Sequence, residues 1–434
     1  MNKKVPALRV LDREGVKESP QLSEEMARVM GEVVGTAREG LLALSASVGL
    51  MVFAQMMEEE VTARVGAKHE KNPGRSASRH GRATGSVVLG SRRVTVSRPR
   101  VRTADGGEET LATYGAFRDD DQLSRVVMER MLAGLATRRH VSANEPVGSA
   151  VEARSHSTSK SSISRRFVAK SAKALEALMA RDLSELKVAA LMIDGVHFAE
   201  HCCVVALVIT SDGTKVPVGL WLGDTENKTV VTHLLADLVD RGLTTTNGLL
   251  VVIDGAKALA AGVRKVFGDA AVIQRCTLHK RRNVTDHLPK DQRGWVDQRL
   301  AKAFNHPDPA AGLRQAQDLA RQIETRWPDG AASLREGLDD MFAVRRLGVS
   351  GRLAKTLTNT NVIESMISIE RDTTRNVKRW RDGTMVKRWV AAGMLNAERS
   401  FRRINGCRDV PVLIDALARH AGVVTPPCES QEVA

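Results

Sequence analysis

The stretch GLLVVIDGAKALAAG, residues 248–262, holds an unbroken apolar run that stops at Asp254-Gly255. A short run rich in β-branched residues and closed by glycine reads as a strand buried on both faces. The spacing predicts a strand over 248–254 and a helix over 256–267. The same device stands upstream in KVAALMIDGVHFAE, residues 187–200, where Leu191, Met192 and Ile193 run into Asp194-Gly195. One such aspartate is most often a turn residue. Two of them, on adjacent parallel strands, would bring both carboxylates to one sheet edge, where open α/β folds place their sites. Neither is stable there buried and unpaired, and a divalent cation is the natural counter-ion.

Working outward, strands are expected at 188–194, 202–210, 215–222, 248–254 and 271–275, with helices at 228–241 and 256–267. Three strands in a row, then helix–strand–helix–strand, describe a mixed sheet with helices packed on it, an α/β core. Residues 288–350 read as largely helical, and a helical pattern resumes over 360–404. Upstream, 21–66 is helical in pattern, 63–86 reads as a mobile basic loop, and 85–102 as two short β runs around a Gly-Ser turn. Residues 122–140 look helical. The segment 155–179 reads as a cap at Ser159 and a helix, with Arg165 and Arg166 near its start. Small hydroxyls and arginines in that position have the texture of a helix-turn-helix recognition helix.

These elements divide the chain into a flexible tail (1–20), a helical and basic region for dimerisation or DNA contact (21–105), and a helix-turn-helix-like region (106–186). An α/β segment (187–288), a largely helical stretch (289–350), a further segment (351–405) and a tail (406–434) follow.

The chain of 434 residues is long enough for roughly two to four domains. Its 65 Lys and Arg against 51 Asp and Glu give a net charge of +14, which points to a polyanionic partner, nucleic acid first. Between 64 and 102 eleven basic residues, Arg92 and Arg93 among them, face one acid, Glu70. That excess points to phosphate contacts. Lys280, Arg281 and Arg282 form a second basic patch. A third runs from 371 to 403, with Arg375, Arg379, Trp380 and Trp389. The five cysteines, at 202, 203, 276, 407 and 428, show no CxxC spacing, which argues against a disulfide framework or a structural zinc site. The apolar stretch 41–57 is short, contains Ser45, Ser47 and Gln55, and runs into Glu58-Glu59-Glu60, so a packed helix is expected and no membrane span. No signal peptide is read at the N-terminus, and a reducing cytoplasm is the expected compartment.

A two-metal phosphoryl-transfer site needs a third carboxylate, and Glu364 in LTNTNVIESMISIERDTTRNVKRW (357–380) offers one on a helix. Glu370, about one and a half turns on, faces elsewhere. The ordered set Asp194, Asp254, Cys276-x-x-His279 and Glu364 within TNVIES resembles the Mutator-type transposases of bacterial insertion sequences. GLWLGDTENKTVVTHLLADLVDRGL (219–243) and QRCTLHKRRNV (274–284) are similar to the same family. The resemblance covers roughly residues 30 to 405. It implies that 187–288 and 351–405 are two parts of one ribonuclease H-like catalytic core, separated by an all-α insertion (289–350), with Asp194, Asp254 and Glu364 holding two Mg²⁺ ions, for which Mn²⁺ can substitute. It further implies a homodimer that binds double-stranded DNA at terminal inverted repeats and at the target, with Trp327 matching an insertion-domain tryptophan that contacts DNA. His279 reads as a helper that positions the scissile phosphate or an acid, and Cys276 as its structural companion. Two alternatives stay open: a ribonuclease H-like nuclease or resolvase without strand transfer, and a catalytically silent DNA-binding regulator. On any of these readings the protein works on DNA in the bacterial cytoplasm, at the nucleoid.

Overall fold

A computed structural model describes residues 39–70, 76–118 and 120–423; the tail read at 1–20, the first part of the helical pattern from 21, and 424–434 lie outside them. The described residues form two compact units. One runs to Val127 and resumes over Arg138–Ile163; the other comprises Met128–Thr137 and everything from Ser164 on.

In the first unit, helix α1 (Leu41–Val65) lays Phe53, Met57 and Val61 on a long antiparallel hairpin, β1 (Ala77–Leu89) and β2 (Arg92–Thr103), meeting Val87, Val96 and Val101. The expected loop over 63–86 is therefore strand from Ala77 onward. Its glycines have structural duties that mimic loop composition. Gly81, at φ +73°, sits in the register shift between Arg79 and Arg82, and Gly85 leaves the space taken by the Tyr114 ring. The Gly90-Ser91 turn falls where the sequence places it. Two short strands, β3 (Glu108–Glu109) and β4 (Ser155–His156), add to β2. Short helix α2 (Ala112–Arg118) begins on Glu60, whose carboxylate accepts from the amides of Ala112 and Thr113. By length and composition α1 is the one helix among the described residues apolar enough to cross a membrane. One face of it sits on the hairpin; Leu41, Val48, Val52 and Met56 on the other are exposed.

Helices α3 (Asp120–Leu132), α4 (Ser149–Glu152) and α5 (Lys160–Met179) follow. The amide of Ser162 donates to Ser159 Oγ, so Ser159 caps α5 as expected. The element next before α5 is only the single turn of α4 and the two residues of β4, shorter than the leading helix of a helix-turn-helix.

The second unit is built on one five-stranded sheet, in the order β7-β6-β5-β8-β9. Strands β5 (Val188–Phe198), β6 (His201–Thr210) and β7 (Lys215–Gly223) form an antiparallel meander. Strands β8 (Leu249–Ile253) and β9 (Ala271–Arg275) run parallel to β5. Alternation along the strands feeds two cores. Leu191, Ile193, Val204, Val251 and Ile253 pack under α6 (Lys228–Asp240) and α7 (Lys257–Phe267). Met192, Val196, Val205 and Val252 face the opposite layer.

After β9 come α8 (Thr277–Asp286) and the insertion helices α9 (Lys290–Phe304), α10 (Pro309–Glu324) and α11 (Pro328–Arg335), which share a core of Val296, Leu300, Phe304, Leu319, Ile323 and Leu334. The short helices α12 (Ala343–Arg346) and α13 (Gly351–Leu357) lead back to the sheet. The layer over Met192 is then completed by α14 (Asn361–Thr374), α15 (Gly383–Glu398) and α16 (Val410–His420). Two expectations change here. The helical pattern of 360–404 breaks over 375–382, where Trp380 leaves the helix and packs edge-on against Phe198 at 5.0 Å. And the tail read from 406 contains α16, which buries Leu413 and Leu417 in the core.

Candidate active site

The parallel pairing of β5 with β8 ends at Ile193 opposite Ile253. The next residue on each strand is an aspartate, so Asp194 and Asp254 leave the sheet side by side. Strand β8 does stop there. Strand β5 does not: it runs on to Phe198 against β6, because Val196 and Phe198 still have a core to enter. Each carboxylate takes a local donor, Asp194 Oδ1 its neighbour Gly195 N at 2.8 Å and Asp254 Oδ1 Ala256 N at 2.7 Å.

Glu364 stands in the first turn of α14. The CxxH pair ties that helix to the sheet. The amide of Cys276 donates to the carbonyl of Ile253, extending the ladder beside Asp254, and its side chain is buried. Thr277 donates its amide and hydroxyl to Thr358 O. His279 Nδ1 lies 3.3 Å from Thr360 Oγ1 and its Nε2 3.4 Å from Glu364 Oε1, while Thr360 Oγ1 donates to the same carboxylate oxygen at 3.2 Å. His279 thus contacts and orients Glu364.

A fourth acid joins them. Glu226, in the loop between β7 and α6, is half-buried and its carboxylate lies over Gly195. Burial first, then Asp254 and Asp194, push the Glu226 carboxyl up to about 7. Burial, then Asp254, push Asp194 up to about 7 as well. A hydrogen bond with Cys276 raises the His279 imidazole to about 9 against the opposing effect of burial, helped by Glu364 and Asp254. Burial alone would raise the Cys276 thiol, but hydrogen bonds with His279 and Thr360 outweigh it and lower it. The edge therefore holds four carboxylates against one imidazole, an excess of hard oxygen donors that suits Mg²⁺ or Mn²⁺. Among the described residues no three His, Cys, Asp or Glu stand at metal-ligating spacing; Asp194, Asp254 and Glu364 are each turned to a local donor. Glu226 escaped the sequence reading because a single acid in a loop has no periodicity; its only signal is its place just before the Asn227 cap of α6, at the same end of the sheet.

The basic residues separate into two groups. Lys280 is buried and donates to Ser333 O, Glu336 O and Glu336 Oε2, and Arg281 pairs with Asp297 at 2.5 Å. Lys280 thus fastens the insertion to the core instead of meeting phosphate. Arg92 is likewise interior, bound to Glu152 and to Glu145 O, because its partners lie far along the chain where a count over 64–102 does not reach them. Arg93 is occupied by Ser86 and by Arg118 O. Arg166 is half-buried, whereas Arg165, Arg282, Arg375 and Arg379 are exposed. Trp327 is half-buried at the margin of the insertion core, and Trp389 packs on Phe167 at 4.3 Å. Glu370 points into the core, away from Glu364, with neither carboxylate oxygen hydrogen-bonded to a protein group.

Comparison with known proteins gives a single answer. The model of the family described as "Transposase, Mutator family" matches residues 21–403. The chain is 24% identical over 368 residues to the transposase for insertion sequence element IS256 in transposon Tn4001 of Staphylococcus aureus, covering 81% of this chain and 90% of that protein. It is 25% identical over 352 residues to the transposase for insertion sequence element ISRM5 of Rhizobium meliloti, covering 79% and 85%. With the transposase for IS6120 of Mycolicibacterium smegmatis it shares 29% identity over 209 residues, 46% of this chain and 62% of that protein.

Proposed function

The chain belongs to the Mutator family of transposases, and from that premise we propose that it cleaves DNA at the terminal inverted repeats of its own insertion sequence and joins the freed ends to target DNA. The observation that carries the reading is the register of β5 against β8, which delivers Asp194 and Asp254 together to the edge that Glu364 reaches from α14. A sheet of three antiparallel strands continued by two parallel ones, with a helical insertion before the glutamate, supports a ribonuclease H-like core.

In this reading Asp194, Asp254 and Glu364 hold two Mg²⁺ ions, with Mn²⁺ as a substitute. When bound, these ions activate the attacking water or 3′-hydroxyl and stabilise the leaving oxygen. His279 and Thr360 fix the Glu364 carboxylate, and Cys276 fixes His279. Exposed Arg282, Arg375 and Arg379 contact the DNA backbone near the site, and Arg165 and Arg166 on α5 serve end binding. Trp327 stacks on an unpaired base at the insertion, and the protein acts as a homodimer at the nucleoid of a bacterial cytoplasm.

The test is a duplex carrying the element's end, incubated with Mg²⁺ and target plasmid, with wild type beside Asp254→Asn and Glu364→Gln. Cleaved and joined product from wild type alone, with end binding kept in both variants, is the expected result. Cleavage by Glu364→Gln would sink the triad. Cleavage by wild type without joined product would make the protein a nuclease.

A further inference from the structure

The glycine after the first aspartate has no conformational reason to be there. Gly195 lies inside β5 and is absent from the residues at positive φ, so its backbone admits any side chain. Space decides instead. A Cβ at 195 would collide with Glu226 Oε2, while its next neighbour outside that carboxylate, Cys202 Sγ, would sit at an ordinary 3.7 Å. Gly195 is a notch, and the Glu226 carboxylate is what fills it.

The two faces of the sheet explain why a notch is needed. Asp194 shares parity with Met192 and Val196 and so belongs to the face covered by α14, the helix that brings Glu364. Gly195 shares parity with Leu191 and Ile193, on the face covered by α6 and α7. Glu226 immediately precedes the Asn227 cap of α6, whose Oδ1 accepts from Thr229 N and Val230 N, so the loop that carries it is anchored on that second face. A Cβ at 195 would displace the Glu226 carboxylate from its place beside Asp194.

We propose that Glu226, seated in the Gly195 notch, is a fourth carboxylate of the divalent-cation site, reaching it from the α6 side while Glu364 reaches it from the α14 side. The inference rests on the cation-site reading above, and it gives the open space at 195 an occupant.

Isothermal titration of the full-length protein with Mn²⁺ alone tests it without DNA or turnover. Glu226→Gln keeps the size of the side chain and removes the charge; Gly195→Ala leaves Glu226 intact and evicts it. Each is expected to weaken Mn²⁺ binding by about tenfold, and the double variant to be no weaker than either single one, because both remove the same contact. Circular dichroism confirms that each variant is folded, and Glu226→Asp should recover part of the affinity lost in Glu226→Gln. Full Mn²⁺ affinity in Glu226→Gln beside lost affinity in Asp254→Asn would overturn the role of Glu226 and leave the triad standing. A wild-type protein that binds no Mn²⁺ would overturn both readings.

Discussion

Two charged regions of this chain look alike in composition and opposite in structure. In the hairpin of the first unit, the arginines that crowd 64–102 meet acids drawn from elsewhere: Arg79 and Arg82 meet Glu58, Arg98 and Arg100 meet Glu108, Arg64 meets Glu109, and Arg92 meets Glu152. At the sheet edge of the second unit, Asp194, Asp254, Glu226 and Glu364 gather with His279 as the cation in contact. A charge that has found its opposite contributes to folding. Like charges assembled at the end of a sheet, at the expense of stability, point to something outside the chain that completes them.

The sharpest way to break this comparison removes one negative charge from each region. On the proposed mechanism, Asp254→Asn should reduce Mg²⁺-dependent strand cleavage by at least about a thousandfold, since it withdraws one of the carboxylates proposed to hold the cations. Glu108→Gln takes an equal charge from Arg98 and Arg100 on an exposed strand edge and should leave cleavage within about twofold, and the melting temperature within about 2 °C. Equal losses from both would mean that the hairpin acids also belong to the chemistry.

A second contrast lies within the second unit. Arg275, at the end of β9, is interior and pairs with Glu336 at 2.8 Å and Asp340 at 3.1 Å, and buried Lys280 donates to the same Glu336. Gly337, at φ +59°, packs so closely on the Arg275 guanidinium that a Cβ there would strike it. Arg275→Ala leaves two carboxylates and an ammonium group without their centre and should cost about 3 kcal/mol in urea unfolding. Loss of only a few tenths would show that the insertion is held by its apolar contacts alone.

Of the five core strands the plainest in the sequence is β8 over 249–253, because a strand buried on both faces is written as an unbroken apolar run. Asp194, Asp254, His279 and Glu364 were legible as an ordered set; the strand register sets Asp194 beside Asp254, and His279 touches Glu364. What escaped did so for physical reasons. Strand β1 hides behind glycines that serve a bulge and a tyrosine ring. Lys280 reads the same at a helix start whether it faces solvent or Glu336, because its partner lies 56 residues away. The break over 375–382 leaves a strongly helical composition on both sides of a turn. Glu226 becomes visible only when the sheet brings its loop over Gly195.

The smallest effect separates a site that is costly to the fold from one that is neutral to it. Asp194 is held at about 7 in the folded chain against an ordinary value near 3.8, so the folded state binds its proton more tightly than the unfolded state does. Its contribution to stability is therefore favourable at low pH, declines as pH rises from about 4 through 7, and stays lost above that. Asp194→Asn keeps an acceptor for the amide of Gly195 and removes the charge. In chelator at pH 8 the variant should be more stable than wild type by roughly 1–2 kcal/mol, reduced from the full value of the shift because the carboxylate is partly exposed. At pH 4 the two should unfold at nearly the same urea concentration. A gain of equal size at both pH values would assign it to packing, and the carboxylates at the sheet edge would then carry no electrostatic cost for a cation to relieve.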